Sequence, residues 1–182
     1  MIDPANYNET ETLKKGSTVR IRSIRPDDKD RLSEAFGNLE AESIYTRFFH
    51  HKKKLTDEEL KEATEIDFEN VVALVVTTGS GENEVIIGGG RYAAFETTGK
   101  RRSAEVAFTV EEDYQGQGIA SRLLQHLVRI AREKGVSQFE AEVLPENKAM
   151  IAVFERSGLP IKNRLEGGAV HVTLSLTNGS SL

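Results

Sequence analysis

The segment from Ala104 to Ser121 narrows the fold more than any other part of the chain. Ala104 to Val110 reads as a strand, the loop Gln115-Gly-Gln-Gly118-Ile-Ala120-Ser121 follows, and an amphipathic helix begins at once. Ile119, Leu123, Leu127, Ile130 and Ala131 lie along one helical stripe, and Gly135 stands where a helix ends. A strand feeding a helix in this way calls for a mixed architecture in which the apolar stripe covers a sheet. Two glycines and a small residue at a helix start leave backbone N–H groups open. The helix dipole adds partial positive charge there, so a phosphate is the first ligand expected.

Two phosphate-binding loops fail against these residues. A dinucleotide fingerprint counted from Gly116 needs glycine at position 121, where the chain has Ser121. A P-loop needs a different glycine spacing and a lysine that the segment lacks. Gln115-x-x-Gly118-x-Ala120 instead resembles the pyrophosphate loop of the GNAT superfamily of acyl-CoA-dependent N-acyltransferases. The bland alternative is a glycine-rich turn with no ligand.

Length and composition agree with a single domain. A chain of 182 residues buries about 70% of its unfolded surface. A net charge of −5 disfavours nucleic acid as a general partner. With no cysteine there is no disulfide frame, thiolate metal site or cysteine nucleophile. No apolar run approaches a membrane span and no signal-peptide core opens the chain, so a cytoplasmic protein without membrane contact is expected.

Residues 1–16 carry almost no apolar periodicity and read as a flexible arm, residues 178–182 as a frayed tail, and 17–177 as the domain. The reading places a strand over 18–24, a helix from Pro26-Asp27 toward Gly37, and a second helix over 40–49 with Ile44, Tyr45, Phe48 and Phe49 inward. Thr56 and Glu59 form a capping box for a third helix. Strands follow at 71–77, 85–95 and 102–110, with Gly88-Gly89-Gly90 marking a bulge or a close backbone approach. After the loop helix come a strand at 139–144, a helix at 147–157, and strands near 160–165 and 169–176.

This order over residues 18–176 resembles that of the GNAT superfamily. The resemblance implies an α/β (α+β) fold with a mixed, mostly antiparallel twisted sheet flanked by helices. It implies acetyl-CoA as co-substrate, with Gln115, Gly116, Gln117, Gly118, Ile119, Ala120 and Ser121 around the pyrophosphate. Phe108, Thr109 and Val110 would receive pantetheine amides as an added strand, on an edge opened where their strand splays from its neighbour. The N–H of Phe108 or Thr109 would polarise the thioester carbonyl. Asn147, opening the motif with Phe154 and Gly158-Leu159, either caps its helix or contacts the coenzyme. Many relatives have tyrosine where this chain has Phe154, which cannot donate a proton. Ser157 or water serves as acid, or the thiolate leaves unassisted.

Ser43-x-Tyr45-x-Arg47-Phe48-Phe49, preceded by Ile24-Arg25-Pro26-x-Asp28, resembles the bacterial protein-lysine acetyltransferases that act on acyl-CoA synthetases. Within Ala104-Glu105-Val106-Ala107-Phe108, that resemblance makes Glu105 the general base, desolvated on an interior strand. The alternative is a surface glutamate paired with Arg101 or Arg102. The expected reaction is acetyl transfer to an amine, the ε-amino group of a protein lysine, in a monomer or homodimer. A small-molecule amine acceptor and a silent acyl-CoA-binding module stay open. Such enzymes often carry an effector domain, for which a filled 182-residue domain has no room, so an in-chain sensor is not expected. Adjacent His50-His51 beside Lys52-Lys53-Lys54 does not make a ligand set, and no metal is expected.

Overall fold

The computed structural model describes residues 1–39, 54–97, 99 and 101–177. Its strands are β1 (Asn8–Thr12), β2 (Thr18–Ser23), β3 (Val71–Thr78), β4 (Val85–Thr97), β5 (Arg101–Val110), β6 (Gln138–Val143), β7 (Ile161–Glu166) and β8 (Ala169–Ser175). They form one sheet in the order β1-β2-β3-β4-β5-β6-β8-β7. Neighbours are antiparallel except β5 and β6, which run parallel. The helices described are α1 (Lys29–Gly37), α2 (Asp57–Thr64), α3 (Ile119–Glu133) and α4 (Lys148–Glu155). The mixed, mostly antiparallel α/β architecture expected from the sequence is the one observed.

Both faces of the sheet centre are covered, which explains the uninterrupted apolar run of β3. Val72, Leu74 and Val76 join Val106, Phe108, Leu123, Leu127 and Ile130 in the main core. Ala73 and Val75 point the other way, to Ile24, Ile86 and the α1 residues Leu32 and Ala35. The helix starts follow their sequence signals. Thr56 Oγ1 accepts from Glu59 N and Glu59 Oε1 from Thr56 N, both at 3.1 Å, closing the capping box of α2.

Ahead of α1, a short turn at Pro26–Asp28 carries a buried ionic cluster. Arg22 donates to both oxygens of fully buried Asp28 at 2.8 Å. The same guanidinium reaches Glu84 Oε1 at 2.7 Å, tying β2 to the turn before β4. Burial opposes ionisation of Asp28, but hydrogen bonds from Arg22 and from the Arg25 N–H, with the arginine charges, outweigh it and hold the carboxyl below its ordinary pKa.

The triple glycine combines both devices considered for it. Val76 pairs with Gly88 and Thr77 with Ile86, so Ile87 is the extra residue of a bulge. Next to it, a Cβ on Gly90 would stand 2.7 Å from the Phe108 ring, so only glycine lets that aromatic lie flat on β4.

Residues 1–16 are not a free arm. Asn8–Thr12 pairs with β2 in continuous register from Asn8↔Arg22 to Thr12↔Thr18. Tyr7 and Leu13 are buried in the main core. The Tyr7 hydroxyl meets His126 Nδ1 on α3, and His126 Nε2 lies 2.7 Å from Glu11 Oε1. Apolar periodicity misses this strand because an edge strand with both faces toward solvent has none; its anchors are polar groups at its ends. The element order therefore opens with one more strand than the sequence reading placed.

Several segments of the sequence reading lie outside the described residues. These are the helix over 40–49 with Ile44, Tyr45, Arg47, Phe48 and Phe49, the pair His50-His51 with Lys52 and Lys53, and the tail at 178–182.

Candidate functional site

The parallel register of β5 and β6 covers Ser103↔Gln138, Ala104↔Phe139 and Glu105↔Glu140, and stops there. β5 runs on to Val110 and β6 to Val143 without pairing, so a cleft opens between them. Hydrogen-bond alternation fixes which amides face it. Glu111 N donates to Ile87 O at 2.9 Å on the β4 side, whereas Arg102 O accepts from Ser137 N at 2.8 Å beside β6. Odd-numbered backbone groups of β5 thus serve β4, and the even-numbered ones at Phe108 and Val110 face the cleft. The Val110 carbonyl is taken by Gln115 Nε2 at 3.0 Å, which fixes the start of the loop. Of the two amides considered for a thioester carbonyl, Phe108 points into the cleft and Thr109 toward Gly89.

The cleft is part of a cavity of about 650 Å³, within the range for small-ligand sites. Among the sequence-selected residues, Phe108, Thr109, Val110, Gln115, Gly116, Gly118, Ile119, Ala120, Ser121 and Asn147 line it. Gln117 does not; its side chain is buried, and its carbonyl accepts from Arg122 at 3.2 Å. Asn147 Oδ1 caps α4 by accepting from Met150 N at 3.3 Å, so the capping role is realised beside the cavity. Phe154 is buried and packs on Phe108 with ring centroids 6.0 Å apart, closing the cavity floor. Ser157 Oγ donates to the Phe154 carbonyl at 2.7 Å and is absent from the lining, so it is held by its own helix end.

The loop turns on two glycines directly ahead of α3. Gly116 and Gly118 have φ of +77° and +87°, and Gly118 caps α3 with no side-chain hydrogen bond over the helix N–H groups. Arg122 Nη1 bonds the carbonyls of Gln117 and Gly118, both at 3.2 Å. Its Nη2 reaches Thr12 O at 3.0 Å and its Nε lies 3.4 Å from Glu11 Oε2. This arginine ties the carbonyls of Gln117 and Gly118 to the end of β1.

On the opposite face of the sheet, a second cavity of about 270 Å³ lies between α1, α2 and strands β3–β5. Leu32, Ala35, Phe36 and Val75 give it apolar walls; Glu62 and Glu111 bring carboxylates. Burial, with the nearby charge of Asp113, pushes the Glu111 carboxyl up from its ordinary pKa. Ala107 and Thr109 line both cavities, on the stretch of β5 beyond its pairing with β6.

Glu105 lies on the Ala107–Thr109 face, next in register to Ala93 and Glu140. It is exposed and lines neither cavity wall, which corrects the expectation of a desolvated carboxylate. Its strand is interior, but an interior strand does not bury a side chain on a face that stays open at that position. Arg102 is engaged elsewhere, donating to Lys134 O at 2.6 Å and Glu69 O at 2.7 Å. Among the described residues no cluster of His, Asp and Glu is arranged to hold a metal ion.

Lys14 and Tyr114 also line the larger cavity and escaped the sequence reading. Lys14 fell within the supposed arm, and nothing in its neighbours marks a turn that returns to position 118.

Comparison with known proteins supplies an independent line. The family described as Acetyltransferase (GNAT) family matches residues 38–159. Acetyltransferase Pat of Mycolicibacterium smegmatis is 34% identical over 147 residues, covering 80% of this chain; the chain spans only 42% of that protein. The GNAT domain of S. lividans PAT superposes with a TM-score of 0.83 at 36% identity, covering 92% of this chain and 96% of that domain. A Salmonella typhimurium acetyltransferase, yncA, solved with its cofactor acetyl-CoA, has a TM-score of 0.69 at 20% identity, covering 91% and 98%, and shares the fold.

Proposed function

The chain belongs to the GNAT acetyltransferase family, and from that premise we propose that it transfers an acetyl group from acetyl-CoA to the ε-amino group of a protein lysine by direct attack. The observation that carries this reading is the junction of the two cavities at Ala107 and Thr109. One cavity, of about 650 Å³, has the volume of a small-ligand site and is lined by the Gln115–Ser121 loop. The other is smaller, with apolar walls and Glu59, Glu62 and Glu111 beside one cation, Arg91, a lining that can take the methylene stem and ammonium group of a lysine.

In this reading the pyrophosphate rests on the amides from Gln115 to Ser121, and pantetheine adds to the open β5 edge at Phe108 and Val110. Asn147 lies alongside as cap and coenzyme contact. The Phe108 N–H donates to the thioester oxygen as negative charge develops on it. The acceptor amine enters from the Glu62–Glu111 side and must lose a proton, because a lysine of ordinary pKa near 10.4 has no free lone pair. Glu105 shares the face of Ala107, about 7 Å along the strand, and takes that proton through one water. The amine nitrogen then bonds to the acetyl carbon, the tetrahedral intermediate collapses, and the carbon–sulfur bond breaks. Phe154 offers no proton to the leaving sulfur. The coenzyme thiolate departs unassisted, as a thiol of ordinary pKa near 8.5 allows.

The resemblance of the segment around Tyr45 and Arg47 to the protein-lysine acetyltransferases supports a protein acceptor. The test is thiol release and acetyl incorporation against purified acyl-CoA synthetases beside a set of small amines. Transfer to free amines with none to protein lysines moves the assignment to a small-molecule acceptor. Coenzyme binding without turnover on any acceptor makes the chain a binding module.

A further inference from the structure

The turn after β1 carries a cation to the same loop. Leu13 is buried and its N–H donates to Ser17 O at 2.8 Å, while Gly16 N donates to Leu13 O at 2.9 Å, so the turn is closed on itself. Lys14 N points to Gln117 O at 3.5 Å, a long contact that sets the turn against the loop. Lys14 Cε lies 3.5 Å from the place a Cβ would take on Gly118, and the side chain lines the cavity beside Gly116, Gly118 and Ser121. Arg122, the other cation at this point, is already committed to Gln117 O, Gly118 O, Thr12 O and Glu11. Lys14 Nζ has no hydrogen bond or ion pair among the described residues.

We propose that Lys14 is a coenzyme-binding residue, donating from its ammonium group to the diphosphate of the acyl coenzyme seated on the Gln115–Ser121 loop. The inference rests on the coenzyme reading given above and adds the amino-terminal strand to the site. An open ring of amides supplies directional donors but only partial charge, whereas a diphosphate brings full negative charge. A lysine on a long stem neutralises it without a fixed fork geometry. β1 makes that lysine available where it is needed: the contacts of Glu11 with Arg122 and His126, and of Tyr7 with His126, fix the strand on α3, whose first turn is the loop's own continuation.

The experiment is calorimetric titration of the full chain with coenzyme A, 3′-dephospho-coenzyme A and pantetheine, for the wild type, Lys14→Ala and Lys14→Arg. Lys14→Ala should weaken coenzyme A about tenfold, Lys14→Arg should restore most of it, and the affinity of Lys14→Ala should depend less steeply on salt. The same loss should appear with the 3′-dephospho compound and vanish with pantetheine, which lacks the diphosphate. Equal affinities for wild type and Lys14→Ala overturn the proposal while leaving the coenzyme reading intact. A loss that disappears with the 3′-dephospho compound moves Lys14 to the 3′-phosphate and overturns the diphosphate assignment. No binding of coenzyme A by the folded wild type removes the coenzyme reading itself, and the proposal with it.

Discussion

In the proposed mechanism Glu105 takes a proton from the amine without a dry surrounding, since it stands exposed at the last paired position of β5 and β6. Its contribution then comes from position on the acceptor face rather than from burial. Glu105→Gln should lower turnover by roughly 10²–10⁴ while coenzyme A affinity stays the same, measured by thiol release beside titration. Wild-type turnover in that variant would reduce Glu105 to a surface residue. Asp28 is the opposite case, a carboxylate whose burial is complete and whose partners are all cationic. Its folded pKa is depressed below the ordinary value of 3.8, so its stabilisation is full above about pH 4 and fades as pH falls through the folded value. Asp28→Asn leaves Arg22 buried and half-paired, and should cost about 3–5 kcal/mol in denaturant unfolding at neutral pH. A loss under about 1 kcal/mol would show that Glu84 alone satisfies Arg22. Gly118 joins both concerns. A side chain there would run into the Arg122 guanidinium in a backbone of φ +87°, so Gly118→Val disturbs the loop as well as shielding its amides. Coenzyme affinity should fall at least about tenfold together with a lower melting temperature. Unchanged affinity in a folded variant is the result that would remove the anion loop.

Among the elements, those with an apolar stripe or a capping signal were legible in the sequence and those held by polar anchors were not. α3 shows its stripe at Ile119, Leu123, Leu127 and Ile130, α2 its capping box at Thr56 and Glu59, and β3 its double burial as an unbroken run. The glycine loop ahead of α3 was legible because its glycines and helix start occupy neighbouring positions in the chain. The cleft was not, because divergence of β5 from β6 depends on where pairing stops across residues far apart in sequence. β1 was missed because Asn-Glu-Thr-Glu-Thr has no apolar alternation, and its partners Arg122 and His126 lie more than a hundred positions away. The two readings of the first residues differ in a measurable way. Leu13 is buried at the end of β1, so Leu13→Ala should cost about 2–5 kcal/mol of stability, where a residue on a free arm would cost nothing. Hydrogen exchange should likewise show protected amides between residues 8 and 12. Rapid exchange there with an unshifted unfolding midpoint in Leu13→Ala would return the segment to an arm.

At the scale of the whole molecule, the sheet separates two cavities that share part of one strand as lining. The larger cavity, assigned to the coenzyme in the proposed function, lies against α3 and α4, the smaller one against α1 and α2, and the lining they share is at Ala107 and Thr109. A donor and an acceptor approaching from the two faces can both be bound before any bond changes. The chain also has no cysteine to carry an acetyl group between them. Geometry and composition therefore point to one ternary complex and one direct transfer, in which proximity replaces a covalent intermediate. Initial-rate measurements with acetyl-CoA and a protein acceptor should give intersecting double-reciprocal lines. Incubation with acetyl-CoA alone should leave no acetyl group on the enzyme that later passes to the acceptor. Parallel lines, joined by an acetylated enzyme that delivers its group on addition of acceptor, would mean that some side chain takes the acetyl first. The junction at Ala107 and Thr109 would then be a passage between two half-reactions rather than the place where amine and thioester meet.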